Sequence, residues 1–396
     1  MTDTVVRVAA RGEGVTADGR HAAFAAPGDQ LAAEGSVLPG PHHQVPPCRH
    51  FPACGGCQLQ HLDDQAYAGF VVDRIAGALA GQGLSTAIRT PHLSPPRTRR
   101  RAALHADRKG GAIRIGFSEA ASHAIVDLAE CWVLTPELFA LVAPLRGLLQ
   151  RLGPKRRAEI QLTSTDQGPD VAITGLSPTS LAAAEAITTF CERHGLARLT
   201  FDDGLGPETR WEPQPVTVTL GGVAVPFPPG GFLQATADGE AALVATVREA
   251  VGRPTATADL FAGLGTFALA LPGKLYAAEG SRDALLALKA AAARAGRPVF
   301  TEHRDLYRRP LTTAELDRFE AVVLDPPRAG ARDQVAALAL ARPRVVAYAS
   351  CNPNSFAADA KTLFGGGWRL DWVQPIGQFR WSTHVELVAR FTRPDS

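Results

Sequence analysis

Residues 256–271, ATADLFAGLGTFALAL, contain the pattern that decides the fold of the C-terminal region. The stretch 256–261 reads as a short buried strand, and Gly263 and Gly265 permit a tight turn after it. A helix is predicted directly after the turn, with its N-terminal N–H groups facing a ligand. Strands and helices then alternate to the end of the chain, which predicts an α/β domain with a doubly wound, mostly parallel sheet.

Reactive side chains stand where the later strands end. Glu279 ends the second strand, Asp305 follows the third, and Asp325 ends the fourth, in DPPRAG. Cys351 ends the fifth, within VVAYASCNPNS at 345–355. Ligands of open α/β sheets bind at the carboxyl edge, so these side chains are expected to meet at one site. A thiol at this edge is exposed to substrate, although a buried cysteine that only fills space is the alternative.

The glycine turn also fits a different cofactor. Gly263, Gly265 and Ala268 match the pattern G-x-G-x-x-A of dinucleotide-binding folds. Glu279 is well placed to accept hydrogen bonds from a ribose, but it follows Gly263 more closely than that fingerprint usually requires. An NAD oxidoreductase therefore stays open at this point.

A last pair of strands contains STHVELVARF. His384 and Glu386 are two positions apart in a segment predicted to be extended, so they are expected to share one face. The alternative is a solvated face at a sheet edge.

Three cysteines near the N-terminus indicate a metal centre. Cys48, Cys54 and Cys57 have the spacing C-x5-C-G-G-C, and thiols this close together are metal ligands far more often than core residues. A zinc site would take His50 or His61 as its fourth ligand.

An iron–sulfur cluster would instead need a fourth cysteine. Cys131, in AECWVLTP, is the candidate, because Cys191 lies in a helical stretch and is predicted to be core. Spacing alone does not decide between zinc and iron–sulfur.

Composition limits the class of protein. The 396 residues are 45% hydrophobic, with a net charge of +2, typical of a globular chain with two or three domains. No apolar run of about 18 residues and no signal-peptide core are present, so we expect a cytoplasmic protein without a membrane partner. Arginine clusters at 97–101 and, with Lys155, at 155–157 are expected to contact phosphate. No surplus amphipathic surface suggests more than a monomer.

The chain divides into three predicted regions. Residues 1–47 are a small β region with a tight turn at Asp18-Gly19 and a linker, 48–227 are an α+β region with the cysteine motif, and 228–396 are the α/β domain.

Together the motifs resemble the RNA uracil-5-methyltransferases. They occur in the order C-x5-C-G-G-C, GFLQ with Gln234, DLFAGLGTF, DPPRAG, SCNP and THVE, and the match extends from Cys48 to Phe391. The resemblance implies a Rossmann-like class I methyltransferase domain that uses S-adenosylmethionine. It implies cofactor contacts at Gln234, Phe261, Glu279 and Asp325 beside the glycine turn, a nucleophile at Cys351 and a base at Glu386. It also implies a [4Fe–4S] cluster on Cys48, Cys54, Cys57 and Cys131.

The chemistry agrees with these roles. C5 of uracil becomes nucleophilic only after a thiolate adds to C6, and a base must later remove the C5 proton. The target base must be flipped out of folded RNA. The chain differs from ribosomal RNA relatives in its start, which is similar to only the first half of the TRAM RNA-binding module.

We therefore expect methylation of a uridine in 23S ribosomal RNA, with RNA rather than DNA as the partner. The alternatives are a T-loop uridine of transfer RNA, or a non-catalytic iron–sulfur protein that binds RNA or senses redox state.

Overall fold

The computed structural model describes residues 3–120, 122–154 and 156–393. The chain begins with an open antiparallel sheet in the order β3-β2-β1-β4-β5. Its strands are β1 Asp3–Val8, β2 Gly14–Thr16, β3 His21–Ala22, β4 Gln30–Leu31 and β5 Val37–Leu38. The predicted turn at Asp18-Gly19 is confirmed, since the Gly19 N–H bonds to the Thr16 carbonyl and Gly19 has φ +89°. A short open sheet is consistent with the shortened β module expected here.

A helix and two very short strands follow: α1 Asp64–Ala80, β6 Ala87–Ile88 and β7 His92–Leu93. The central region comes next, with the elements β8 Arg101–Lys109, β9 Ala112–Gly116, α2 Pro136–Ala140, α3 Val142–Leu152, β10 Ala158–Thr165, β11 Gly168–Thr174, α4 Leu181–His194, β12 Arg198–Asp202 and β13 Glu208–Trp211. Its six strands have the order β13-β12-β11-β10-β8-β9, and every pair except β11–β12 is antiparallel. Leu145 of α3 and Cys191 of α4 pack into the core of this sheet, as predicted for Cys191.

The remaining elements are β14 Thr217–Leu220, β15 Val223–Pro226, α5 Ala237–Val251, β16 Ala256–Leu260, β17 Lys274–Glu279, α6 Arg282–Arg294, β18 Val299–His303, α7 Thr313–Leu316, β19 Ala321–Leu324, α8 Arg332–Leu340, β20 Val345–Ser350, α9 Pro353–Gly365, β21 Arg369–Gly377 and β22 Glu386–Thr392. The large sheet has the order β18-β17-β16-β19-β20-β22-β21-β6. Strands β16 to β20 are parallel, and β22 runs antiparallel to both of its neighbours. The predicted doubly wound α/β domain is therefore present.

The sheet of this domain also takes in earlier parts of the chain. Ala87 and Ile88 of β6 pair with Trp372 and Val373 of β21, and β7 pairs further along the same strand. Helix α1 packs into the core that contains Phe356. Without β6 and β7, β21 would be an uncovered edge strand with buried apolar side chains. The sheets therefore do not divide at residue 228, the boundary suggested by the sequence.

The helix predicted directly after the glycine turn is absent, and residues 263–270 form successive turns instead. The bond from Leu269 N–H to the Gly265 carbonyl is of the helical kind, whereas the bond from Ala270 N–H to the Phe267 carbonyl is a tighter one. Pro272 follows directly after these turns and cannot continue a helix. Among the described residues, no helix is long and apolar enough to span a membrane.

Candidate active site

A cavity of about 580 Å³ opens at the carboxyl ends of β16, β17, β19 and β20. Most of the side chains predicted for the site line it, although they come from widely separated positions in the chain. These are Gln234, Phe261, Gly263, Glu279, Asp325, Cys351 and Glu386. The parallel sheet explains this convergence, because strand ends that are distant in sequence share one edge.

Two predicted cofactor residues do not line the cavity. Gly265 has φ +95°, and an added Cβ would lie 2.4 Å from Cδ1 of Leu288, so glycine here allows α6 to pack closely. Asp305 accepts hydrogen bonds from the N–H groups of Tyr307 at 3.0 Å and Arg308 at 3.4 Å. Its carboxylate therefore closes a local turn.

The glycine turn and the end of β17 are joined by Glu279. One carboxylate oxygen accepts from the Gly263 N–H at 2.8 Å, and the other accepts from the Ser281 N–H at 2.6 Å. Phe261 has the left-handed value φ +65°, and its N–H bonds to the Ala278 carbonyl at 3.0 Å. A non-glycine residue in this conformation is strained, and such strain is characteristic of functional sites.

Acidic groups give the cavity a preference for cations. Burial, and to a smaller extent the charge of Glu279, raise the pKa of Asp325 to about 7. Burial also raises the pKa of Glu386 to about 8, against the opposing effect of a hydrogen bond from Gln378 and with the help of Asp325. A positively charged ligand would relieve the repulsion among these carboxylates.

Cys351 lies in the turn between β20 and α9, half-buried. Burial raises its thiol pKa, the charges of Glu386 and Asp325 add to this increase, and the Arg328 guanidinium opposes it. The side-chain amide of Asn352 donates to the Arg328 carbonyl at 3.0 Å, and the Ser355 hydroxyl donates to the same oxygen at 3.1 Å. The loop of Asp325 and the turn of Cys351 are thereby held together.

Glu386 is the first residue of β22, and its side chain is buried. His384 precedes the strand, is exposed, and has its ring 5.8 Å from that of Phe379. The two residues therefore do not share a face, because the extended segment begins only at Glu386. Gln378 bonds to both Glu386 and Gln234, yet no sequence motif singled it out.

The first arginine cluster is mostly engaged within the protein. Arg100 pairs with Glu240 at 2.7 Å and donates to the Gln234 carbonyl at 3.2 Å. The Arg99 guanidinium lies 5.4 Å from the ring centre of Phe379, and that of Arg101 lies 5.2 Å from the ring centre of Phe232. Arg100 is therefore already paired within the protein, and contact of this cluster with phosphate stays a prediction.

The second cluster is engaged in part. Arg157 donates to the His123 carbonyl at 2.7 Å and to the Ser118 hydroxyl at 2.8 Å. Lys155 lies outside the described residues.

The four cysteines predicted as ligands border one small cavity of about 10 Å³, to which Cys48, Cys54 and Cys57 contribute from one segment and Cys131 from another. Burial raises the pKa of Cys54 to about 11 and that of Cys57 to about 12. Four thiols facing one cavity fit a thiolate-bound centre in their donor chemistry. As placed, however, the described side chains contain no group of three or more arranged to hold a metal ion.

The histidines proposed for a zinc site do not border this cavity. Nε2 of His50 accepts from the Ala129 N–H at 2.9 Å. His61 is buried and packs near Phe24 and Phe51. The arrangement thus favours a four-cysteine set over a site with one histidine.

Comparison with known proteins gives consistent results. The sequence model of the tRNA (Uracil-5-)-methyltransferase family matches residues 292–392. An RNA methyltransferase of Zymomonas mobilis is 51% identical over 98% of this chain and 99% of that protein. The 23S rRNA (uracil(1939)-C(5))-methyltransferase RlmD of Pectobacterium atrosepticum is 30% identical over 90% of this chain and 81% of its own length.

One solved structure shares the fold over the whole chain. It is the tRNA (uracil-54, C5)-methyltransferase of Pyrococcus abyssi in complex with S-adenosyl-L-homocysteine. The TM-score is 0.77 at 22% identity, with 99% of each chain covered.

Proposed function

The chain belongs to the RNA (uracil-5-)-methyltransferase family, and from this premise we propose that it methylates C5 of a uridine in 23S ribosomal RNA, with Cys351 as nucleophile and Glu386 as base. The observation that carries the proposal is that both side chains line one cavity with Gln234, Glu279 and Asp325. The reaction needs a thiol, a carboxylate and a cation-binding pocket that can all reach the same uracil ring.

The cofactor residues fit S-adenosylmethionine, which supplies an electrophilic methyl group on a sulfonium. Asp325 at the end of β19 provides negative charge for this cation. Glu279 lies at the end of β17, where it can accept hydrogen bonds from ribose hydroxyls. The NAD alternative has no support in the family, and it leaves Cys351 and Glu386 without a function.

In the first step, the Cys351 thiol loses its proton and Sγ bonds to C6 of the flipped uracil. The C5–C6 π electron pair is displaced into the ring as an enolate, which makes C5 nucleophilic. C5 then bonds to the methyl carbon while the bond between methyl and sulfonium breaks, and the electron pair of that bond leaves with the sulfur as a neutral thioether. Burial raises the thiol pKa, whereas the backbone hydrogen bond at Cys351 and, to a smaller extent, the Arg328 guanidinium favour the thiolate.

In the last step, Glu386 takes the proton from C5 of the methylated ring. The released electron pair re-forms the C5–C6 double bond, and the bond between C6 and Sγ breaks. Glu386 must be ionised for this step. Its raised pKa makes it a stronger base than an exposed carboxylate once it has lost its proton.

The proposal also specifies which RNA is the substrate, 23S ribosomal RNA or transfer RNA. The Pectobacterium relative named for 23S ribosomal RNA supports ribosomal RNA, as do the cysteine motif and the short β module. The family description and the Pyrococcus structure name transfer RNA, so a T-loop uridine is the second candidate.

The deciding experiment is methyl transfer from labelled S-adenosylmethionine to unmodified 23S ribosomal RNA and to transfer RNA, followed by nucleoside mass spectrometry. We expect 5-methyluridine in ribosomal RNA and none with Cys351→Ala. Product only in transfer RNA would move the assignment to the second candidate. No product in either RNA would overturn the proposed function and favour a non-catalytic RNA-binding or redox-sensing protein.

We further propose that Cys48, Cys54, Cys57 and Cys131 hold a [4Fe–4S] cluster, which supports the structure or RNA binding. The support is that thiols from two separate segments border the same cavity. Cys131→Ser should reduce the iron and sulfide content of anaerobically purified protein. Cys191→Ala is the matched control, since Cys191 is buried in the α4 core instead. Equal iron in both variants would contradict the assignment.

A further inference from the structure

We propose that Gln378 is a positioning residue, whose side-chain amide fixes the carboxylate of Glu386 and the amide of Gln234 in one arrangement. The inference rests on the proposed function and extends it, because it names the group that keeps the base in place beside the cofactor pocket.

The contacts of Gln378 define this role. It directly follows β21 and is 1% exposed. Its Nε2 donates to Oε1 of Gln234 at 2.7 Å and also to Oε2 of Glu386. Its Oε1 accepts from the Thr236 N–H at 3.3 Å. Both ends of one buried amide are therefore engaged.

The orientation of this amide follows from the contact with Thr236. A backbone N–H can only donate, so the side-chain atom that faces it must be the oxygen. The nitrogen then faces Glu386 and Gln234, and a carboxylate oxygen can accept from it. The assignment thus depends on chemistry and not on a choice between two equivalent flips.

The surrounding fold leaves room for this side chain. Gly239 lies in the first turn of α5, and an added Cβ there would be 2.6 Å from Cβ of Gln378 and 2.7 Å from Oγ1 of Thr236. Oγ1 of Thr236 also accepts from the Gly239 N–H at 3.0 Å and so caps α5. The start of α5, the segment of Gln234 that precedes it and the end of β21 therefore all meet at Gln378.

The hydrogen bond matters electrostatically as well. The titratable groups that face Glu386 are Asp325 and Cys351: the charge of Asp325 disfavours the ionised form of Glu386, and an ionised Glu386 in turn raises the pKa of the Cys351 thiol. Within the described residues, Gln378 is the only side chain that donates a hydrogen bond to Glu386. Loss of this donor would leave a buried carboxylate that is harder to ionise and free to turn away from C5.

The test is the substitution Gln378→Met, which keeps the length of the side chain and removes the Nε2 hydrogen-bond donor. Gln374→Met is the matched control, since Gln374 lies on β21, four positions before Gln378, and its side chain bonds only to the carbonyls of Thr90 and Pro375. With Gln378→Met we expect turnover to fall about tenfold or more, with a covalent RNA adduct accumulating at Cys351. The pH profile of adduct resolution should move to higher pH, and Gln374→Met should change neither quantity.

Gly239→Ala serves as a second variant in case Gln378→Met does not fold. It keeps Gln378 but forces it to move, so adduct accumulation is expected here too. The inference is overturned if folded Gln378→Met resolves its adduct at the wild-type rate and pH, or if it loses activity with neither adduct nor pH shift. Failure of the proposed function is distinguishable, because wild-type protein would then form no 5-methyluridine at all.

Discussion

The side-chain amide of Asn352 donates a hydrogen bond to the carbonyl oxygen of Arg328 at 3.0 Å. This bond joins the turn that carries Cys351 to the loop that follows Asp325, so the nucleophile and an acidic side of the cofactor pocket move as one unit. Asn352 also caps α9, accepting from the Asn354 N–H at 3.1 Å.

Asn352→Ala should therefore slow formation of the Cys351–RNA adduct by roughly tenfold to a hundredfold, because small displacements of a nucleophile are costly. The measurement is single-turnover adduct formation on denaturing gels. Asn354→Ala is the control, since Asn354 is exposed and its side chain makes no hydrogen bond within the described structure. Equal rates for the two variants would show that this bond does not position Cys351.

Glu386→Gln should allow a covalent RNA adduct to accumulate at Cys351. Thiol addition and methyl transfer can proceed in this variant, but an amide cannot remove the C5 proton. Slow-migrating RNA–protein complexes on denaturing gels report the adduct, and the double variant with Cys351→Ala should show none. A folded, RNA-binding Glu386→Gln protein without adduct would count against Glu386 as the base.

The same variant should change the pH dependence of stability. The pKa of Glu386 is about 8 in the folded protein, against 4.5 for an ordinary glutamate. The folded state therefore holds its proton more tightly, and the associated stability is present at low pH and lost as pH rises toward about 8. Glu386→Gln lacks this loss, so its Tm should exceed the wild-type Tm by roughly 3–8 °C more at about pH 9 than at about pH 5.

The control for this measurement is Glu249→Gln. The Arg89 guanidinium lowers the pKa of Glu249, so its neutralisation should not produce a Tm advantage that grows with pH. A parallel response of the two variants would mean that burial of Glu386 does not cause the effect.

Asp325 and Asp305 should differ in their effect on S-adenosylmethionine binding. Asp325→Asn removes a charge from the cavity and should weaken binding about tenfold or more, whereas Asp305→Asn should leave the Kd within about twofold. Binding to the wild-type protein should also strengthen as pH rises through about 7, because the cation prefers ionised Asp325. Isothermal titration calorimetry measures the Kd of both variants and of the wild-type protein at each pH. Equal losses of affinity in the two variants would reject the assignment of Asp325 as a cofactor contact.

The site residues that lie at strand ends could be predicted from the sequence. Glu279 is the last residue of its strand, Asp325 and Cys351 directly follow theirs, and parallel strands bring such positions to one edge whatever the conformation of the loops. The family motifs supplied Gln234 and Glu386, which also reach the cavity.

Other features depended on contacts between distant segments. The role of Gln378 follows from the register of β21 against β22 and from the space at Gly239, and neither is visible in a local pattern. Asp305 was expected in the site because it follows a strand, but its carboxylate does not line the cavity and accepts from the backbone N–H groups of Tyr307 and Arg308.

The pairing of β6 with β21 has a consequence for biosynthesis. Thr86, beside β6, bonds to the Leu370 carbonyl, and these residues are 284 positions apart. At a ribosomal rate of about 5–20 residues per second, the early segment waits roughly 15–60 s for its partner strand. Proteolysis of stalled nascent chains ending before residue 369 should therefore cut within α1, whose apolar face has no core yet. The methyltransferase sheet can be completed only after β21 and β22 have been synthesised, and until then the apolar face of α1 stays uncovered.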